Sequence, residues 1–172
     1  MSLEGRLYVV LRESVGGQYS SYGALATKIF ESGPAEFSYN RLEERHVMQP
    51  SSIVAYVSLV HFIGLLKVNE AEEYVGILDE EPTQEGAEEL INRKAIAKLE
   101  ESGFGAKQFG KAVGELIRGE VMVLPSVREI YQAIGLKMSE QQFVSLCALG
   151  GVRRHFGFSM VTRRIMIPAQ VA

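Results

Sequence analysis

Hydrophobic and polar positions in the first half of the chain predict short helices between β-rich runs. Residues 5–11 form a short β-rich run, and apolar residues at helical spacing then predict a helix over 21–30 that stops at Gly33-Pro34. A second short helix is predicted over 38–45 and a longer one over 51–66.

The stretch after the longer helix predicts a β-hairpin and then a polar helix. Two β-rich arms flank the turn residues 69–73. Thr83 is the predicted cap of a surface helix over 83–101, because acidic residues occupy its first turns and basic residues its later turns, as the helix dipole prefers.

Two capping boxes dominate the second half of the chain. Ser126 with Glu129 and Ser139 with Gln142 predict helices over 126–134 and 139–149, separated by Gly135. Apolar residues at helical spacing on the two helices predict a small core. These residues are Val127, Ile130, Tyr131, Ile134, Phe143, Leu146 and Cys147.

The residues that follow, 152–168, predict a basic hairpin. Arg153 and Arg154 are expected on one arm, Arg163 and Arg164 on the other, and His155 at the tip. Four guanidinium groups on one ribbon are suited to binding phosphates.

Residues 51–78 resemble the recognition helix and wing of the winged-helix superfamily, including the Gly64-Leu65-Leu66 sequence before the first wing strand. Residues 126–167 resemble a second copy, to which residues 104–123 would supply the first helix and strand. The resemblance implies an α+β, mostly helical fold with tandem winged-helix domains and short β-hairpin wings.

The expected domain organisation follows from these two units. An N-terminal winged-helix-like domain is predicted over residues 1–82, connecting helices over 83–119, and a C-terminal winged-helix-like domain over 120–172.

The net charge of −3 conceals two halves of opposite sign. Residues 1–92 carry six Lys and Arg against fifteen Asp and Glu, which gives −9, whereas residues 93–172 carry twelve against six, which gives +6. Because DNA attracts a basic surface and repels an acidic one, the two halves are expected to meet different partners.

Double-stranded DNA is the partner expected for the basic half. On the helix over 139–149, Gln141, Gln142 and Ser145 lie opposite the apolar face, where they can address bases. Hairpin side chains are expected to hold phosphates, and the four arginines could instead enter the minor groove. These residues are Arg153, Arg154, His155, Arg163 and Arg164. A solvated hairpin with ordinary surface arginines remains the alternative.

The helix over 51–66 lacks Lys, Arg, Asn and Gln, so it is not expected to read bases. Its apolar character predicts either a homodimer or partner interface, or burial under the helix over 83–101. The predicted interface residues are Tyr56, Ser58, Leu59, His61 and Phe62. Its apolar stretch of about fifteen residues is too short for a membrane span, which needs roughly 20.

The sequence gives little support for an enzyme, and neither a cofactor nor a metal is expected. Residues 105–112 match a phosphate-binding loop only up to Lys111, because Ala112 replaces the Ser or Thr that would bind magnesium. No Asp or Glu stands two residues before a Lys, so the common metal-nuclease pattern is missing. Cys147 is the single cysteine, and the N-terminus does not resemble a signal peptide, so a cytoplasmic location is expected.

Two functions therefore remain open. The first is a non-enzymatic DNA-binding protein, either a transcriptional regulator or a replication or partition adaptor, associated with the nucleoid. The second is a protein-binding tandem winged-helix subunit of a larger complex, similar in layout to condensin-associated subunits.

Overall fold

The computed structural model describes residues 2–41, 44–117, 126–161 and 164–166, and these form an α+β fold that is mostly helical, as predicted. The chain divides into two compact units, Met1–Lys94 (unit 1) and Ala95–Ala172 (unit 2). The boundary falls inside a helix, α4 (Gln84–Glu101).

The β-rich run predicted over residues 5–11 is wrong, because those residues belong to helix α1 (Leu3–Ser14). Ser2 caps the helix, with its Oγ accepting a hydrogen bond from the backbone N–H of Gly5 at 3.1 Å. Leu7, Val10 and Leu11 are fully buried at helical spacing. Packing of this face decides the structure against the β-propensity of the valines.

Helix α2 (Tyr22–Ser32) confirms the helix predicted over 21–30. The Oγ of Ser21 accepts a hydrogen bond from the N–H of Ala24, and Gly33 ends the helix in the left-handed conformation, with φ 65°.

The short helix predicted over residues 38–45 is also wrong. A 3₁₀ turn (Ala35–Phe37) leads instead into an antiparallel hairpin of β2 (Ser38–Arg41) and β3 (Glu44–Val47). Phe37 is fully buried, and its carbonyl accepts a hydrogen bond from the N–H of Met48 at 2.7 Å. This contact fixes the open end of the hairpin.

Helix α3 (Pro50–Phe62) confirms most of the helix predicted over 51–66, but it begins one residue earlier and ends four residues earlier. Gln49 is its N-cap, and Pro50 opens the first turn, where a missing N–H costs nothing. Ile53, Val57 and Val60 are fully buried, and the helix packs mainly against α1 and α2. Gly64, with φ 87°, turns the chain into the next strand.

A three-stranded antiparallel sheet completes unit 1. Strand β1 (Gln18–Tyr19) pairs with β5 (Tyr74–Gly76), which pairs with β4 (Leu66–Val68), so the strand order is β1-β5-β4. The β4–β5 hairpin confirms the predicted turn, in which Asn69 Oδ1 accepts a hydrogen bond from the N–H of Glu73 at 2.9 Å.

Helix α4 confirms the predicted capped helix. Thr83 Oγ1 accepts a hydrogen bond from the N–H of Gly86 at 3.1 Å. The buried stripe of α4 recurs every four residues: Ala87, Ile91, Ala95 and Leu99 are all fully buried.

Unit 2 continues with helices α5 (Ala106–Ile117), α6 (Val127–Ile134) and α7 (Glu140–Cys147). Both predicted capping boxes are confirmed, each with its two reciprocal hydrogen bonds. Gly135 ends α6 in the left-handed conformation, with φ 72°.

An aromatic cluster around Phe104 forms the core of unit 2. The fully buried Phe104 ring lies 4.7–5.4 Å, centroid to centroid, from the rings of Phe109, Phe143 and Phe156. Of the predicted core residues, Tyr131 and Ile134 are half-buried, and the others are buried. Burial raises the pKa of the Cys147 thiol, which holds it in the protonated form.

The basic hairpin predicted over 152–168 is wrong in its first arm. Residues Gly150–Phe156 form helix α8, and the hairpin consists of β6 (Ser159–Val161) and β7 (Arg164–Met166). Val152 and Phe156 are buried four residues apart, which anchors one face of α8. Gly157, with φ 72°, ends the helix before the hairpin begins.

No helix in the described part of the chain combines the length and apolar character that a membrane span requires.

Replacing Ser139 with alanine is expected to lower the free energy of unfolding of unit 2 by about 1 kcal/mol, because the first turn of α7 loses its cap. Ser139→Asp should retain most of the stability, since a carboxylate accepts the same hydrogen bond. Urea denaturation followed by circular dichroism measures both. Equal loss in the two variants would contradict the capping role.

Gly76→Ala is expected to destabilise unit 1 by about 1–3 kcal/mol. A Cβ at this position would lie 2.6 Å from Ser14 Oγ and 2.9 Å from the Ser14 carbonyl oxygen, both closer than contact distance. Gly23→Ala is the matched control, because its Cβ would lie 3.7 Å from Ser21 Oγ, an ordinary contact distance. This variant should raise the free energy of unfolding by about 0.4–1 kcal/mol. Thermal unfolding that shows no difference between the two variants would refute the close approach.

Candidate nucleic-acid interface

The three predicted base-contacting residues lie on helix α7 and differ in their exposure to solvent. Gln141 is exposed, and Ser145 is half-buried. Gln142 is half-buried, and its Oε1 accepts a hydrogen bond from the N–H of Ser139 at 3.0 Å. The carbonyl group of Gln142 is therefore used in the capping box, which leaves Gln141 and Ser145 as the freer pair.

A cleft of about 620 Å³ lies between the start of α6 and one face of α7. The α6 side contributes Ser126, Val127 and Arg128. The α7 side contributes Glu140, Gln141, Val144 and Ser145. Gln141 and Ser145 thus share a concave surface with residues of another helix, which the sequence did not indicate.

Arg128 and Glu140 form an ion pair across this cleft, with Nε 3.6 Å from Oε1. The arginine side chain is 71% exposed and the glutamate side chain 42% exposed, so solvent screens the pair strongly. A pair of this kind holds its guanidinium loosely and leaves it able to bind another anion.

The last turn of α8 carries Arg153, Arg154 and His155. Arg154 is exposed and Arg153 half-buried. Within the described residues, neither arginine forms an ion pair. Two positive charges at a helix C-terminus interact favourably with the helix dipole, and among the described residues no carboxylate pairs with them in place of an external anion.

His155 was expected at the tip of the hairpin, and this is wrong because the residue lies on α8. Its Nε2 lies 3.5 Å from Glu100 Oε1, and its ring packs edge-on against Phe156. Of the other two hairpin arginines, Arg164 is the first residue of β7, and Arg163 lies outside the described residues.

The predicted interface residues of α3 are largely engaged inside unit 1. Arg6 donates a hydrogen bond to the Tyr56 hydroxyl at 2.5 Å, and the Tyr56 ring packs edge-on against Phe37 at 5.5 Å. Leu59 is buried, whereas Ser58 and Phe62 are half-buried.

A Tyr–His–Tyr cluster occupies the remaining interface position. The Tyr22 hydroxyl lies 2.5 Å from His61 Nδ1, and the Tyr74 ring packs 5.2 Å from the His61 ring and 4.9 Å from the Tyr22 ring. Burial, with a contribution from Tyr74, raises the pKa of Tyr22. Self-association through α3 stays a prediction that this packing does not support.

The segment compared with a phosphate-binding loop forms part of a helix. From Ala106 onward it belongs to α5, where Lys107 and Lys111 are exposed. Among the described residues, no three His, Cys, Asp or Glu side chains group closely enough to hold a metal ion.

Comparisons with known proteins gave no match to a protein-family model, a curated protein or a solved structure.

Proposed function

We propose that the chain is a non-enzymatic DNA-binding protein and that unit 2 makes the DNA contacts. The observation that carries this proposal is the pair Arg153 and Arg154, two cations without a carboxylate partner among the described residues. Unit 2 as a whole has ten Lys and Arg against six Asp and Glu, a net charge of +4. Such a surface gains binding free energy by releasing counterions from DNA.

Helix α7 supplies the second part of the proposed interface. Its exposed Gln141 offers both a donor and an acceptor, which is the combination that recognises an adenine edge, and Ser145 adds a hydroxyl on the same side. The arginines of α8 would then hold the backbone while α7 addresses the bases.

The order of elements supports a winged-helix relationship for unit 1. Three helices, α1, α2 and α3, precede the β4–β5 hairpin, and β1 between the first two helices pairs with β5. The β2–β3 hairpin between α2 and α3 is an insertion into this order. In unit 2 the pair α6 and α7 resembles a helix-turn-helix, but α8 intervenes before the β6–β7 hairpin. We therefore propose that unit 2 is a second winged helix with one additional helix, α8.

Unit 1 is proposed to bind a partner rather than DNA. It carries eight Lys and Arg against fifteen Asp and Glu, a net charge of −7, which repels phosphate. In this arrangement unit 2 holds DNA and unit 1 recruits another protein, as in a transcriptional regulator or a replication or partition adaptor.

A second candidate function is a protein-binding subunit without DNA contacts. Val68 favours it, because this side chain is 51% exposed and is the one large apolar residue exposed to that degree in the described part of the chain. Val68 ends β4, which is an edge strand of the sheet, and edge strands offer unpaired backbone groups to a partner.

Replacing Arg153 and Arg154 together with alanine is expected to weaken binding to every duplex sequence and to reduce the slope of log affinity against log salt by about 2, because two phosphate contacts are lost. Fluorescence anisotropy of a labelled duplex, titrated at several salt concentrations, measures both quantities.

The control variant replaces Lys67 and Arg93, two exposed cations of unit 1, with alanine. It removes the same charge from the chain but should leave the salt slope close to that of the unaltered protein. Absence of binding by the unaltered chain even at low salt would reject DNA binding and leave the protein-binding candidate.

A further inference from the structure

The cleft between α6 and α7 has a shape that the proposed reading of intact duplex does not explain. A base edge inside a stacked duplex lies at the floor of a groove, so a protein reads it with a protruding surface. Gln141 and Ser145 instead line a concave space of about 620 Å³. A concave surface fits a group that projects from the nucleic acid toward the protein.

We infer that this cleft binds an unpaired nucleotide of the DNA that unit 2 contacts, with its base turned out of the stack. The inference rests on the proposed function and adds the form of DNA that the site selects. The cleft volume falls within the range of roughly 300–1,000 Å³ that is usual for sites of small organic ligands.

The lining of the cleft matches the parts of a nucleotide. Val144, which is half-buried, provides apolar surface for a flat face of the base, which loses its stacking partner when the base leaves the duplex. Gln141 and Ser145 provide donors and acceptors for its edge. The exposed guanidinium of Arg128 is suited to the phosphate that enters with the base.

Glu140 makes the site selective among bases. Its carboxylate accepts hydrogen bonds only, so it favours a base with an exocyclic amino group over thymine, whose single N3–H donor lies between two carbonyl oxygens that the carboxylate would repel. Gln141 adds affinity without adding to this preference, because its amide pairs with an adjacent donor and acceptor on adenine or on an unpaired thymine. A base with an exocyclic amino group, represented by adenine in the test below, is therefore the expected ligand.

The test compares three labelled duplexes with the full chain in fluorescence anisotropy at one salt concentration: a perfect duplex, the same duplex with one bulged adenine, and the same duplex with one bulged thymine. The adenine bulge is expected to bind about tenfold more tightly than the perfect duplex, the size of one bidentate base contact. The thymine bulge should fall between them.

Gln141→Ala and Val144→Phe are expected to reduce the ratio of bulge to duplex affinity toward one, the first by removing the amide and the second by filling the cleft. Gln132→Ala is the matched control, because Gln132 is exposed on α6 but does not line the cleft, and it should retain the ratio. The fluorescence of 2-aminopurine placed at the bulge reports directly whether the base changes its surroundings on binding.

The outcomes separate this inference from the function on which it rests. Equal affinity for perfect and bulged duplexes overturns the nucleotide site while DNA binding by unit 2 stands. A thymine bulge bound as tightly as an adenine bulge overturns the selectivity. Failure to bind any of the three duplexes at low salt overturns both the inference and the proposed function.

Discussion

The structure of unit 1 depends on burying the apolar side chains of helix α3. The helix has no charged residue and buries Ile53, Val57 and Val60 completely, so apolar surface must meet it from more than one side. Helices α1 and α2 provide that surface. Strand β1 lies between α1 and α2 in the chain, and it pairs with β5 to complete the sheet. In unit 2, the buried Phe104 ring has the corresponding role among α5, α7 and α8.

The sequence predicted best those elements whose boundaries depend on neighbouring residues. Ser21, Thr83, Ser126 and Ser139 each bond to a backbone N–H three residues ahead, so their roles can be inferred from a few consecutive residues. The failures occurred where distant contacts decide the structure. Residues 5–11 include the β-branched Val9 and Val10 but form part of α1, because the apolar face of this helix packs against α3. The residues near 5–11 in the sequence carry no information about α3.

Only part of the candidate interface was predicted, again because local spacing does not reveal contacts between separate elements. The exposure of Gln141 follows from its position opposite Phe143 on one helix, which spacing alone reveals. The cleft needs Arg128 from a different helix, and no spacing rule gives that juxtaposition. The sequence predicts Arg153 and Arg154 on an arm of a hairpin, whereas the burial of Val152 and Phe156 selects a helix.

The pairing of β1 with β5 has a consequence for the rate at which the two units fold. Gln18 pairs with Val75, so unit 1 must close a long loop before β1 joins the local β4–β5 hairpin, and loop closure slows folding. In unit 2 the main contacts join consecutive elements, from α5 to α6, α6 to α7 and α7 to α8, and β6 to β7. The core of unit 2 nevertheless joins distant residues, because Phe104 packs against Phe143 and Phe156, so both units need long-range loop closure to reach their native topology.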